Sequence, residues 1–290
     1  MFEFAFLLIL STPLMLAALG EVIGQRSGVI NIGLEGMILL GAFTGFALVM
    51  ATGSLFVALL AAAAVGVGTA LLSGWFTIKQ GSDQVVVGTA INLFALGATG
   101  IGFRSMVEHS ASNQRLPELA KILGVDWVVL ATLLLIPLVW FLMARTRWGL
   151  ALRACGEYPA AVEAAGFSVV KQRLTAALIG GALAGVAGAH LSLSVAGSFA
   201  ENMTAGRGFL AIALVTFGRW QPHWAALTAL LLGYTQSLQY SLQGRSILGV
   251  VVPSQLWLAL PYVLALVVLV MVGSGSATPR ALGRPYERTE

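Results

Sequence analysis

Gly36–Thr77 reads GMILLGAFTGFALVMATGSLFVALLAAAAVGVGTALLSGWFT, 42 residues without an Asp, Glu, Lys or Arg. A helix needs about 20 apolar residues to cross the hydrocarbon of a bilayer. The run is therefore long enough for two crossings, with a turn near Ala51-Thr52-Gly53-Ser54. The rest of the chain agrees with it. Of 290 residues 58% are hydrophobic and 10% charged, and the mean hydropathy is +0.89; an average soluble domain has about 25% charged residues. So few charges cannot cover a water-facing surface, and lipid is the remaining solvent. The net charge of +4 and the pI of 9.6 do not point to nucleic acid, because the basic residues gather in one internal loop and the C-terminal tail. That is the pattern of cytoplasmic loops facing anionic membrane lipid. A single cysteine, Cys155, excludes an internal disulfide and a multi-thiolate metal site.

Further charge-free runs are Phe4–Gly20, Gln84–Phe103, Trp127–Ala144, Leu174–Ala200, Trp220–Gly244 and Ser246–Pro279. Phe4–Gly20 lacks a basic leading segment and reads as a first span rather than a removable signal. Gly208–Gly218, eleven residues between Arg207 and Arg219, is short for a span: it is a re-entrant half-helix, or a crossing whose arginines snorkel outward. The loop 145–173 carries Arg145, Arg147, Arg153, Lys171 and Arg173 against Glu157 and Glu163, and the tail 273–290 carries Arg280, Arg284 and Arg288. The excess of Lys and Arg over the loop's length places both in the cytoplasm. An even number of crossings must separate them, which favours counting Gly208–Gly218 as one. The expected fold is an all-α polytopic membrane protein of about nine (8–10) transmembrane helices, one transmembrane domain over 1–290, with the N-terminus outside. Arg104, Arg115 and Lys121 then lie in an outside loop, against the charge rule. No GxxxxGK[ST] occurs, so no Walker-type nucleotide site is expected.

Within the basic loop stands Gly156-Glu-Tyr-Pro-Ala-Ala-Val-Glu-Ala-Ala-Gly166. Pro159 suits the first turn of a helix and Gly166 its C-terminal cap. Between them Ala160, Ala161, Ala164 and Ala165 fall on one face. Such a helix either inserts into a groove on another protein or is an ordinary interfacial helix; spacing alone leaves both open.

This segment resembles the coupling loop of the ABC-importer permeases that serve branched-chain amino acids, ribose-type sugars and nucleosides, which reads approximately G-x-N-x-x-A-A-x-x-x-G; Tyr158 and Pro159 depart from it. Four further stretches resemble the same family in order: Gly20-Glu-Val-Ile-Gly-Gln-Arg-Ser-Gly-Val-Ile-Asn-Ile-Gly-Leu-Glu-Gly36, closest to nucleoside-type permeases; Ser82–Asn92; Gly180–Gly188; and Gly206–Ala213. The resemblance implies a permease subunit in the bacterial inner membrane that forms a translocation pathway for nucleosides or nucleobases, with simple sugars or branched-chain amino acids as the alternative. It implies a pair of permeases, here with a related but different chain, a cytoplasmic ABC ATPase and an extracytoplasmic substrate-binding protein. No cofactor is expected on this chain and no catalysis by it: ATP and Mg would be used by the ATPase. Arg153, Gly156, Glu157, Pro159, Ala160, Ala161, Ala164, Ala165 and Gly166 would then couple to that ATPase.

Polar groups inside apolar spans are costly, so they are the pathway candidates. Asn31, Glu35, Thr89 and Asn92 qualify, with Phe94, Phe209 and Phe217 as aromatics able to stack on a base or sugar. Asn92 either lines the route or satisfies neighbouring backbone. Glu35 is expected to serve backbone amides around a broken Gly28–Gly36 segment, with Glu21 and Arg26 as an ion pair flanking it. An ion-coupled secondary transporter is the rival class, and Glu35 would be its titratable residue. His190 reads as a hydrogen-bonded interface residue. Trp75, Trp127, Trp148, Trp220 and Trp224 read as an interfacial belt, and no metal-ligand spacing is present. Replacing Ala164 by Arg should abolish uptake while leaving substrate delivery intact; normal uptake by that variant would contradict the coupling role.

Overall fold

The computed structural model describes residues 2–109, 121–122, 124–242, 246–247, 250–251, 257, 259–260, 263–264, 266–267, 270 and 278–286. It is helical: α1 (Phe2–Arg26), α2 (Leu34–Thr52), α3 (Leu55–Gly74), α4 (Gln84–His109), α5 (Trp127–Arg145), α6 (Arg147–Glu157), α7 (Pro159–Ala164), α8 (Val169–His190), α9 (Arg207–Phe217) and α10 (Pro222–Leu242). Two antiparallel pairings of two residues each, Lys121–Ile122 with Val125–Asp126 and Ser246–Ile247 with Val250–Val251, join loop segments. Among the described residues six helices are long and apolar enough to cross a membrane, α1 to α5 and α8, which makes the chain a polytopic membrane protein. α10 is of similar length but more polar toward its end, at Thr235, Gln236, Ser237 and Gln239. The expected ninth span, Ser246–Pro279, lies largely outside the described residues, as do Arg115 and Arg288; its first residues form a hairpin rather than a helix.

The long charge-free run divides where its turn residues stand. Gly53 adopts φ +68°, a left-handed conformation that costs glycine little, and Ser54 caps α3 by accepting from the Val57 amide. α8 is the central element, packed by α1, α2 and α3. Lipid tails are as apolar as Leu, so helices associate in a bilayer by close van der Waals contact rather than by expulsion of water. Small residues supply that contact. A Cβ on Gly41 would stand 2.7 Å from the Gly185 Cα, one on Gly181 would stand 2.5 Å from the Ala70 Cβ, and one on Gly20 would meet the Gly180 Cα at 3.0 Å. α8 thus touches α1, α2 and α3 backbone to backbone.

At the end away from the basic loop, Asp126 ties two helices together. Its carboxylate caps α5 through the Val129 amide at 3.1 Å, and it accepts from His190 Nε2 at 3.0 Å and from the Ser194 hydroxyl. Burial pushes this carboxyl up, but the bond and charge of His190, with the Ser194 and Val129 bonds, outweigh it and hold it below the usual carboxylate range. His190 is fully buried there, as a hydrogen-bonded partner. The tryptophans differ in kind: Trp75 and Trp224 are half exposed, whereas Trp220 is buried and donates to Gln25 Oε1 at 2.7 Å instead of joining a belt. An indole inside the protein needs an acceptor, and Gln25 provides it.

Gly185 lies between α2 and α3, so Gly185→Val should cost about 1–3 kcal/mol by overpacking. Gly97→Val, at a position with nothing within 4 Å, should not. Thermal unfolding of both variants in detergent checks the difference.

Candidate functional site

Two helices begin inside the depth of the bundle rather than at its surface. α1 descends to Arg26, at the end where the basic loop lies; the chain then turns back through Ser27–Gly33 without helical structure, and α2 starts at Leu34. Gly41 packs on Gly185 and Gly45 on Ala189, so α2 and α8 run parallel. Leu34 is seven residues before Gly41, and Val169 sixteen before Gly185. At 1.5 Å per residue, α2 begins roughly 13 Å deeper than the start of α8. α9 begins at that same depth, beside Glu35, and its eleven residues descend to Trp220 at the basic end, where Arg26 Nε donates to the Trp220 carbonyl at 2.8 Å.

The short apolar piece is therefore a half-helix and also part of a crossing. The chain leaves the far end of α8, passes through a non-helical stretch at 196–206, and completes the passage as α9. Arg207 does not snorkel away: its Nη1 donates to the Met203 carbonyl at 3.0 Å and that of Thr204 at 3.3 Å.

Non-helical backbone at this depth has unmet hydrogen-bonding groups, tolerated only where it lines a water-filled cavity or where protein supplies partners. Here side chains do. The Ile30 amide donates to Gln84 Oε1 at 2.8 Å, and the Asn31 amide to Glu21 Oε1 at 3.1 Å. Asn92 donates to the Ile32 carbonyl at 2.9 Å and accepts from the Gly36 amide at 2.8 Å. The Glu35 carboxylate accepts from the Gly206 amide at 2.7 Å and the Gly208 amide at 2.6 Å. A helix N-terminus carries roughly half a positive charge and orphan N–H groups, and a carboxylate answers both. Both glycines are required by geometry. Gly206 has φ +86°, and a Cβ on Gly208 would stand 2.6 Å from the Glu35 Cα.

The expected pathway residues gather here in part. Glu35, Asn92 and Asn31 adjoin the two breaks, and Phe209, next to Gly208, is exposed. Thr89 and Phe94 lie on the exposed side of α4, Thr89 donating to the Val85 carbonyl at 2.7 Å. Phe217 is not with them: it is buried in the cluster of α1, α5 and α10 side chains. Two expectations are corrected. Glu35 serves amides of α9 rather than of Gly28–Gly36, because its side chain leaves the first turn of α2 toward α9. Glu21 and Arg26 form no pair: five residues apart on a helix they face different sides, so Glu21 takes Gln25 Nε2 at 2.9 Å and Arg26 the Trp220 carbonyl. Above the breaks, at the opposite end, Arg104 meets Glu201 at 2.8 Å. That guanidinium holds the Glu201 carboxyl below its usual range.

In the basic loop, Pro159 opens α7. The Gly166 amide, at φ +82°, closes on the Glu163 carbonyl and that of Phe167 on Val162, the Schellman pattern. Val162 is buried against Cys155 and Val169, so Ala160, Ala161, Ala164 and Ala165 are left exposed as a face of methyl groups, with Glu157 exposed beside them. Burial pushes the Cys155 thiol up to about 11. Arg153 Nε donates to the Gly149 carbonyl at 3.3 Å, and Gly156 packs directly on the Arg26 carbonyl. Gln84, Arg173 and the tail carry contacts that local sequence pattern does not single out.

Two helices that begin at one depth inside a bundle of membrane-length helices, with exposed α7 at the basic end, are compatible with a membrane permease. The chain belongs to the family of permease components of branched-chain amino acid transport systems, whose model matches residues 4–273. The guanosine ABC transporter permease NupQ of Bacillus subtilis is 34% identical over 96% of this chain and 94% of its own length. The nucleoside ABC transporter permease NupC of Lactococcus lactis is 30% identical over 98% and 96%. A provisionally named glucose ABC transporter permease of Haloferax volcanii, TsgC13, is 35% identical over 82% and 76%. No solved structure matches the chain significantly.

Glu35→Ala removes two charge-assisted bonds and should cost about 2 kcal/mol. Glu35→Gln, which keeps one acceptor, should lose less. Melting temperatures of both variants in detergent check the order, and equal melting of all three chains would contradict the capping role.

Proposed function

We propose that the chain is the permease subunit of an ATP-driven importer of nucleosides or nucleobases in the cytoplasmic membrane. The observation that carries this reading is near full-length similarity to the guanosine and nucleoside permeases named above. The exposed methyl face of α7 supports docking on a cytoplasmic ABC ATPase, which would bind ATP and Mg and perform the hydrolysis; α7 stands at the end of the basic loop, as the positive-inside rule requires of a cytoplasmic element. Movement of that helix as a rigid body would switch which side the pathway faces.

The pathway in this reading runs along the open side formed by α4 and α9. Val86, Leu93, Phe94 and Ile101 on α4 and Phe209 on α9 are exposed on the single chain, which supports a second permease packing opposite and the route lying between them. Glu35 and Asn92 hold that wall in place, and Phe209 and Phe94 present rings able to stack on a base. An extracytoplasmic binding protein would deliver the substrate at the end marked by Arg104 and Glu201. The glucose permease among the relatives supports sugars as the second reading.

The test is reconstitution of the chain with its ATPase, partner permease and binding protein in nanodiscs, with guanosine, ribose, glucose and leucine offered in turn. Hydrolysis that rises only with the nucleoside is the expected result; a rise with glucose alone would favour the sugar reading. Uptake that needs an ion gradient and no ATPase would overturn both.

A further inference from the structure

The described part of the C-terminal tail, 278–286, does not hang free. Its backbone turns on itself, Leu282 donating to Pro279 and Arg284 to Ala281. It then joins two distant parts of the chain. The Ala281 amide donates to the Gly156 carbonyl at 2.8 Å, immediately before α7, and the Gly283 amide donates to the Gly28 carbonyl at 3.0 Å, in the break between α1 and α2. Arg173, in the first turns of α8 and 2% exposed, locks the same junction. Its Nε donates to the Ser27 carbonyl at 3.1 Å and its Nη1 to the Arg284 carbonyl at 3.0 Å. Gly28 leaves the room for it: a Cβ there would stand 2.7 Å from Arg173 Nη2, and its φ is +96°. Tyr286 packs on the cluster of Cys155, Val162 and Val169 that seats α7, and Pro285 lies against Gly81 between α3 and α4.

We infer that residues 279–286 and Arg173 form a strap that transmits displacement of α7 to the broken segment Ser27–Gly33, and through it to the start of α2 and its Glu35 contact with α9. The inference rests on the reading of α7 as the coupling helix. The physical reason is the stiffness of the links. A backbone hydrogen bond keeps its strength only over N···O distances of about 2.7–3.2 Å and near-linear geometry, so backbone groups at Gly156 and Gly28, bonded to one short turn of chain, move together or break their bonds. A guanidinium fork bonded to Ser27 on one side and Arg284 on the other closes the link; an ammonium, a point donor on a flexible stem, cannot span both carbonyls in the same plane. Arg173 is a positioning residue here, acting through backbone.

The experiment compares the reconstituted complex carrying the intact chain, Arg173→Lys, and a chain ended after Thr278. Transported substrate per ATP hydrolysed is the main readout, with hydrogen exchange at the Ala281 and Gly283 amides as the second. The intact chain should protect both amides, and Arg173→Lys should speed their exchange. Both variants should assemble and hydrolyse ATP, yet transport per ATP should fall about fivefold or more, and hydrolysis should lose its rise with the loaded binding protein. Wild-type transport per ATP in either assembled variant would overturn the strap, as would rapid exchange at both amides in the intact chain. If the shortened chain does not assemble, Arg173→Lys decides alone. Unaltered uptake by Ala164→Arg would instead remove the coupling-helix reading, whereas the exchange result would still report whether the tail is docked.

Discussion

The contact between the Glu35 carboxylate and the Gly206 and Gly208 amides is the one on which the interior depends. A helix that starts at the depth of a bilayer leaves N–H groups without intrahelical partners, each worth several kcal/mol if left unmet by protein or water. A carboxylate in the same place is also costly unless donors surround it. Brought together, each group answers the other's cost, and two chain breaks separated by about 170 residues become one site. Remove the carboxylate and α9 loses its reason to begin at that depth.

What surrounds this contact serves to hold it. α8 approaches α1, α2 and α3 through glycines and alanines, which sets the depth at which Glu35 emerges from α2. Gln84 and Asn92 on α4 and Glu21 on α1 take up the remaining backbone groups of the break. Arg26 and Gln25 then anchor Trp220 at the foot of α9. Close packing makes such an assembly bistable rather than soft: a shift at the foot of α1 must be absorbed by the non-helical segment, since the glycine contacts leave α8 no slack. The tail, bonded to that segment and to the last turn of α6 just before α7, sits where such a shift would enter.

Much of this was legible in the residues. Charge-free runs located the long helices, and Gly53-Ser54 divided the longest one as turn chemistry requires. Pro159 and Gly166 bounded α7, whose exposed alanines follow from helical spacing. The reading of Asn92 left two roles open, and both its amide atoms are engaged by backbone. Other residues misled. Glu21 and Arg26 carry opposite charges near one another in sequence but point apart. Trp220 sits at a span end, as belt residues do, yet faces inward to Gln25. Phe217 shares a segment with Phe209 but, at the last residue of α9, is buried among side chains of α1, α5 and α10. In each case residue type and position were right for the role, and the direction of the side chain was not available.

The sequence by itself determined that this is a helical membrane protein, where the six long apolar helices lie, which loop is basic, and that its motifs resemble one family of permeases. These are properties of composition and of local periodicity, which the hydrocarbon thickness and the helical repeat convert directly into structure. Only the tertiary structure decided which amides Glu35 serves, that α9 completes a crossing begun by a non-helical stretch, that Asp126 closes on His190, and that Arg173 binds the tail to the break. Those partners are mostly backbone groups, present at every residue and therefore without a signature in sequence. Only packing, fixed by contacts among glycines on different helices, brings a particular amide within reach of a particular carboxylate.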